Sequence, residues 1–407
     1  MLIYLIRRLL LFVPTLIGAT FIVFMIMALS PIDIVATLLP PGGELLPGEK
    51  AAREEYVMER YGLNDPPPVQ YLRWLNNVSP VGFRIWKRGD REVEAAKKQQ
   101  TEMRDAKVVE LRAAGSMKLE EIEKETKKID IRPNPGQFRF DKPAVKWPDL
   151  GESFIQSRSV APIIGAALPV TLTLQLIALP FALTLAMLSG IWSAVHRGRL
   201  LDIATGTVLL GIYSVPVILL GTLFIGFLAN VQYIRIFPAA GLHSDMAAQM
   251  RFFPGTHNGH WESGYLLDWL WHLAGPVLCI SYVTLAYYSK LTRTALLETL
   301  NADFVRTARA KGLDERVVLF RHAFRNSLIP LITVAASFLP AMVVGSIVVE
   351  TIFNINGMGR LAIEALKAND RELFLSTSML ILILQLTGFL IADILYAVAD
   401  PRVSYDS

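Results

Sequence analysis

The sequence predicts an all-α polytopic membrane protein with six transmembrane helices and a large insertion on its outer side. Three observations lead there: a deficit of charge, six long apolar runs, and Lys and Arg gathered in alternate short loops. Of 407 residues, 53% are hydrophobic and 19% charged, against about a quarter charged in soluble domains. The deficit is uneven: residues 87–130 carry twelve Lys or Arg and eleven Asp or Glu, while long stretches elsewhere carry almost none. The net charge of +4 gives no sign of nucleic acid as a partner. Cys279 is the single cysteine, which excludes an intramolecular disulfide or a Cys-based metal site and suits a small buried hydrophobe.

An apolar helix of about 20 residues crosses a bilayer, and segments 9–29, 163–193, 203–230, 272–292, 328–349 and 374–398 qualify. The second exceeds a straight span and contains Pro169 and Pro180, so a tilted or kinked helix is expected, its freed carbonyls satisfied by neighbours. The first also has the look of a signal peptide, because Arg7 and Arg8 precede it and Ala28-Leu29-Ser30 resembles a cleavage site. Its apolar run of about 21 residues exceeds the roughly 7–15 of such peptides, which favours a retained span. With six spans, Arg7, Arg8, Arg197, Arg199, the 290–326 segment and Arg402 share one side, the cytoplasmic one by the positive-inside rule. Both termini are then cytoplasmic. Trp192, Trp269 and Trp271 stand where interfacial anchors are expected.

The organisation that follows has three parts. Residues 1–30 form the N-terminus and first span, residues 31–160 an external loop region, and residues 161–407 a five-helix core with a cytoplasmic loop at 294–327. The external region opens on turn chemistry, Pro40-Pro41-Gly42-Gly43 and Asn64-Asp65-Pro66-Pro67-Pro68. Its 88–129 segment, rich in Ala, Glu, Lys and Arg, has a narrow stripe at Leu119, Ile122, Thr126 and Ile129, broken at Ala113-Ala114-Gly115-Ser116. That pattern predicts a charged helical hairpin, either solvated and packed on its own loop or offered to an external partner.

Between the fourth and fifth spans lies a basic helix–Gly–helix pattern. Asn301 can cap a helix from Ala302 to Lys311, and Gly312 suits a left-handed helix end, where a β-carbon is costly. Asp314 can cap the next helix, with Glu315 favourable at the positive end of its dipole. Val317, Val318, Phe320 and Phe324 interleave with Arg316, Arg321 and Arg325. Physics alone leaves two equal roles, binding to anionic lipid and docking of a partner protein.

The run Arg306-Thr307-Ala308-Arg309-Ala310-Lys311-Gly312, followed by His322-Ala-Phe-Arg325-Asn326, resembles the cytoplasmic coupling loop of ABC importer permeases of the oligopeptide and dipeptide branch. Arg306 stands where the general permease pattern has glutamate, Thr307 where it has alanine, and no proline occupies the usual place after the glycine; the peptide branch shares these departures. Other likenesses occur in the same order: Tyr4 to Thr15, Arg60 to Pro66, Leu150 to Ser153, Glu350 to Phe353 with Gly357 to Leu361, and Asp400-Pro401-Arg402. Trp269-Leu270-Trp271-His272 leans toward the sub-branch for larger peptides and microcin-type antibiotics. The 87–130 hairpin is outside the family pattern. The resemblance implies a type I importer permease that pairs with a second permease, two ATPase subunits or domains and a periplasmic substrate-binding protein in the lipid bilayer. It further implies a peptide cargo, with nickel, opines or oligosaccharides as alternatives within the branch. Arg306, Thr307, Ala308, Arg309, Lys311, Gly312, Asp314, Glu315, Arg316, His322 and Arg325 would form the ATPase-coupling segment.

The sequence holds no G-x-x-x-x-G-K-[ST] loop to cradle phosphates. ATP and Mg would therefore belong to the partner ATPases, with no cofactor or catalytic residue in this chain. His257, His260 and Glu262 lie in a Gly-rich loop that reads as a solvated turn in preference to a metal site. An ion-driven secondary transporter usually needs ionisable groups deep in the membrane, and the spans offer little beyond Asp393, near the end of the last one. An external binding module on a membrane anchor would not need six spans. Thr173, Gln175, Ser281, Thr284, Tyr287 and Gln385 are uncharged candidates for lining a path, or for hydrogen bonds between helices.

Overall fold

A computed structural model describes residues 2–29, 65–85, 91–113, 138–153, 156, 158–230, 232–234, 236–257 and 260–399. Among them the chain is largely helical and divides into two compact units, residues 21–152 and residues 1–20 with 153–407. The first helix, α1 (Leu2–Ala28), runs through both.

In the smaller unit, α2 (Pro67–Val78) begins on prolines at its first two positions, where a missing N–H costs no helical bond. Its Tyr71 receives the edges of Phe21 and Phe24 at centroid distances of 5.1 and 5.5 Å. Strand β1 (Val81–Ile85) follows, then α3 (Arg91–Ala113), then β2 (Phe138–Val145), which returns antiparallel to β1. The register closes Val81 on Val145 and Ile85 on Phe138, with a bulge between Phe83 and Arg84. Asn76 fixes the strand to α2, because its amide accepts from Phe83 N (2.7 Å) and donates to Phe83 O (3.0 Å). The sequence reading missed this two-stranded stem, since five residues hold too little alternation to separate strand from loop. The first arm of the predicted hairpin is α3; its second arm, with Leu119, Ile122, Thr126 and Ile129, lies outside the described residues, as do Pro40 to Gly43 and Asp400 to Arg402.

The larger unit is built on α4 (Val160–Val195) and α7 (Gly264–Leu300), helices of 36 and 37 residues that pass unbroken through Pro169, Pro180 and Pro276. Between α4 and α7 come α5 (Leu200–Tyr213), α6 (Val217–Leu223), a π-helical turn at Phe224–Ala229 and the small pair β3 (Gly255–His257) and β4 (His260–Glu262). Residues 174, 178, 182, 186, 190 and 194 of α4 are Leu, Ala, Ala, Ala, Gly and Ala, all buried and all four apart. Small side chains at that spacing let two backbones approach closely. At Gly190 a β-carbon would lie 2.6 Å from both Ser289 O and Thr292 Cβ. Ser281 donates across the same seam to Ala178 O (3.1 Å).

After α7 follow α8 (Asp303–Ala310), α9 (Glu315–Val317), a π-helical stretch at Val318–Phe324, α10 (Arg325–Ile352), α11 (Met358–Lys367) and α12 (Arg371–Ala399). The α11–α12 corner is tight. Asn369 takes φ +54, its N–H and that of Asp370 close on Leu366 and Ala365, and Asp370 then accepts from Leu373 N at the start of α12. Glu350, fully buried at the end of α10, accepts from Thr171 Oγ1 (2.7 Å) and Arg360 N (3.0 Å), while Thr171 accepts from Met358 N (2.8 Å). The start of α11 is thereby fastened to α4 and α10.

Four of the described helices are long and apolar enough to cross a membrane: Ile6–Ala28, Val160–Val195, Gly264–Leu300 and Arg371–Leu395. A fifth candidate is the pair Leu200–Tyr213 and Val217–Ala229, which the sequence presents as one span at 203–230 and the fold bends by 99°. Pro216 explains the break: it lacks an N–H, and its ring pushes Val215 out of the helical region. The predicted fifth span, 328–349, lies within helix α10.

Candidate functional site

The segment from α7 to α10 is held from beneath by apolar burial. Val305 and Ala308 of α8 are buried against Leu296 of α7, Ala194 of α4, and Val318 and Ala323 of the following π-helical stretch. The 3-residue spacing of Val305 and Ala308 gives α8 one inward edge, and the rest of the helix faces out. Asn301 closes α7, its N–H bonding to Glu298 O, so the residue that opens α8 is Ala302, with extended φ and ψ and no side-chain cap. That corrects the expected Asn301 cap; the long helix α7 uses the backbone of Asn301 as its own C-cap.

Gly312 adopts φ +75, as its position predicts. Gly312 N bonds to Arg309 O and Leu313 N to Ala308 O, the paired closure that ends a helix with a left-handed residue. Nothing lies within 4 Å of a β-carbon placed there, so conformation alone selects glycine. Asp314 then caps α9, accepting from Arg316 N at 2.8 Å. Arg309 spans the corner, with Nε 3.1 Å and Nη2 2.5 Å from the Glu315 carboxylate. Those bonds hold the Glu315 carboxyl below its ordinary range and raise Arg309 further. The ion pair thus ties α8 to the start of α9.

Arg306, Thr307, Arg309, Lys311, Gly312, Asp314, Glu315, Arg316 and Arg325 are all exposed; Ala308 is buried and His322 half-buried. Arg306 stands 3.4 Å from Asp303, both well exposed, and Thr307 bonds back to Asp303 O. Phe304, Leu313, Val317 and Phe320 are exposed beside these cations. Phe304 and Leu313 escaped the sequence reading; their signal was an apolar residue amid charged ones, Phe304 beside Asp303 and Leu313 between Gly312 and Asp314. The outcome is a rigid basic projection with apolar side chains between its charges.

The path candidates stand on three helices, Thr173 and Gln175 on α4, Ser281, Thr284 and Tyr287 on α7, and Gln385 on α12. Ser281 and Thr284 are buried on α7, and Thr173, Gln175 and Gln385 are half-buried. Tyr287 is exposed and lines an apolar groove of about 600 Å³ between α5 and α7, with Ile203, Gly206, Leu210, Ala286 and Lys290. Asp202 lies at one end of that groove. It accepts from both Arg293 Nε and Nη2 at 2.8 Å, from Gly198 N at 3.0 Å and from the Ser193 hydroxyl. Sequence reading passed over this cluster, because Asp202 and Arg293 come from segments 91 residues apart. Asp393 is engaged as an ion pair, 2.9 Å from Arg8 Nε. Among the described residues no group of three or more His, Cys, Asp or Glu could hold a metal.

Several apolar helices, among them a closely packed pair, with an ordered basic projection between two of them, define a multi-pass membrane protein. The family described as binding-protein-dependent transport system inner membrane component matches residues 186–405, more than half of the chain, and the chain belongs to that family. It is 29% identical over 405 residues, 99% of each chain, to the oligopeptide transport system permease protein AppB of Bacillus subtilis (strain 168). It is 31% identical over 281 residues to the peptidoglycan transport system permease protein YejB of Agrobacterium fabrum, covering 66% of this chain and 74% of that one. The di/tripeptide transport system permease protein DppB of Pseudomonas aeruginosa is 34% identical over 258 residues, 63% of this chain and 77% of its own.

Proposed function

We propose that this chain is a permease subunit of an ATP-driven importer for peptides. Residues 302–326 are the joint at which a separate ATPase engages it, and ATP and Mg are used on that partner. The observation that carries the reading is the double closure of α8 on Gly312, with Arg309 clamped to Glu315. A projection whose backbone bonds are internally satisfied can pass a push from a partner into α7 and α10, which flank it. Membership of a binding-protein-dependent transport family supports ATPase and substrate-binding partners, and the names of the relatives support peptide cargo. A second permease subunit completes the pathway. Six spans, with α10 as the fifth, put both termini and residues 302–326 in the cytoplasm of a bacterial inner membrane.

The test is Gly312→Val. A β-branched residue at φ +75 costs on the order of 1–2 kcal/mol in backbone strain, with no clash to relieve. The variant is expected in the membrane at normal abundance with peptide uptake reduced by about tenfold, the equivalent of 1.4 kcal/mol. Normal uptake by that variant would rule out the coupling role.

A further inference from the structure

Helix α5 is joined to the rest of the larger unit in an unusual way. Of its fourteen residues only Asp202 is buried, although most of the helix is apolar. Two ties from α7 bracket it. At its N-terminal end Arg293 grips both Asp202 oxygens, and just beyond its C-terminal end Tyr282 donates to Val215 O (2.6 Å), a carbonyl at the 99° break. Between the ties α5 stands off from α7, leaving the groove of about 600 Å³. α5 is therefore a strut pinned at both ends to one long helix. Arg293 lies seven residues before Leu300, where α7 ends and the α8 projection begins, a separation of roughly 10 Å along the helix.

We propose that the Asp202–Arg293 pair is the positioning element that passes movement of the coupling projection from α7 into α5. This rests on the reading of residues 302–326 as the ATPase joint. The pair suits the task because its fork geometry fixes direction as well as distance. Asp202 also holds the α4–α5 turn through Gly198 N and the end of α4 through Ser193, so a shift of Arg293 reaches three elements at one carboxylate. At the far end the Pro216 break supplies the hinge: no helical bond can form through the proline nitrogen, and α5 can tilt without carrying α6 with it.

The experiment uses the assembled importer in proteoliposomes, with a radiolabelled hydrolysate of short peptides as probe. Uptake, ATP hydrolysis and the amount of assembled complex are measured together. Asp202→Asn keeps the size of the side chain and one of the two acceptors that Gly198 and Ser193 use, and removes the charge that holds Arg293. Peptide imported per ATP hydrolysed is expected to fall by about tenfold, the equivalent of 1.4 kcal/mol, because Arg293 loses its charged, forked partner, while hydrolysis per complex stays within about twofold. Arg293→Lys keeps the charge without the fork, and an intermediate ratio is expected. If Asp202→Asn only lowers the amount of complex, with the ratio at the wild-type value, the pair is structural and the proposal is overturned. Should that variant fail to assemble, Arg293→Lys decides: a wild-type ratio overturns the proposal, a reduced one supports it. Gly312→Val run alongside separates the two ideas, because wild-type uptake there would refute the joint itself, independently of Asp202.

Discussion

Single residues set the corner that follows α8, and each was legible to a different degree. Gly312 was readable in advance because a glycine after a basic helix has one economical use, the left-handed closure that its φ of +75 displays. The bond from Arg309 to Glu315 across the corner was not, because neither helix periodicity nor capping rules pair two residues six apart across a turn. The pH dependence of that pair follows in sign. Glu315 is lowered from its ordinary value of 4.5, so the stabilisation is complete above pH 4.5 and is lost as pH falls through the lower folded value. Hydrogen exchange of the 313–317 amides should therefore differ between wild type and Glu315→Gln at neutral pH and converge as the carboxylate is protonated in acid; no difference between the two at neutral pH would contradict the pairing. Glu350 shows a residue whose neighbours were legible only as a pattern. A β-carbon on Gly357 would lie 2.4 Å from Glu350 Cδ, and one on Gly359 would lie 2.6 Å from Ile347 Cα. Gly357→Ala should lower stability by about 1–3 kcal/mol, as overpacking does, visible as a drop in thermal midpoint of the detergent-solubilised protein.

At the scale of elements, hydropathy located the helices and sterics decided their form. Each apolar run of the sequence corresponds to helical structure, but the run at 203–230 is two pieces because of Pro216, and the run at 272–292 is the middle of a 37-residue helix. Periodicity could not show which face of α4 meets α7, since an all-apolar helix has no polar side to mark the reverse. The marker was size: Ala178, Ala182, Ala186, Gly190 and Ala194 form the seam. Two glycines of α4 make a matched test. Gly165 has nothing within 4 Å of a β-carbon, while Gly190 faces Ser289 O and Thr292 at 2.6 Å. Gly165→Ala should be neutral or stabilising by up to about 1 kcal/mol, whereas Gly190→Ala should destabilise by about 1–3 kcal/mol. Equal thermal midpoints for the two variants would refute the close approach of α4 and α7.

At the scale of the whole molecule the open question is topology, and the lone cysteine makes it tractable. Cys279 is buried, so the native chain should resist a membrane-impermeant maleimide from either side. Lys311→Cys, on the exposed projection, should label only from the cytoplasm, and Lys98→Cys, on the exposed face of α3, only from outside. Labelling of both from the same side would overturn the six-span arrangement. The sequence by itself determined the class of this protein: long apolar runs must bury or cross, because unpaired backbone in hydrocarbon is too costly for anything but helices and closed barrels. It also determined the helix ends, where Gly312, Asp314 and Pro216 act on their immediate neighbours. Only the tertiary structure decided the pairings Arg293 with Asp202, Thr171 with Glu350 and Ser153 with Asp370, whose members stand 91, 179 and 217 positions apart. Local rules of caps, turns and periodicity reach a few residues along the chain, and a bond between distant side chains exists only after packing has brought their helices together.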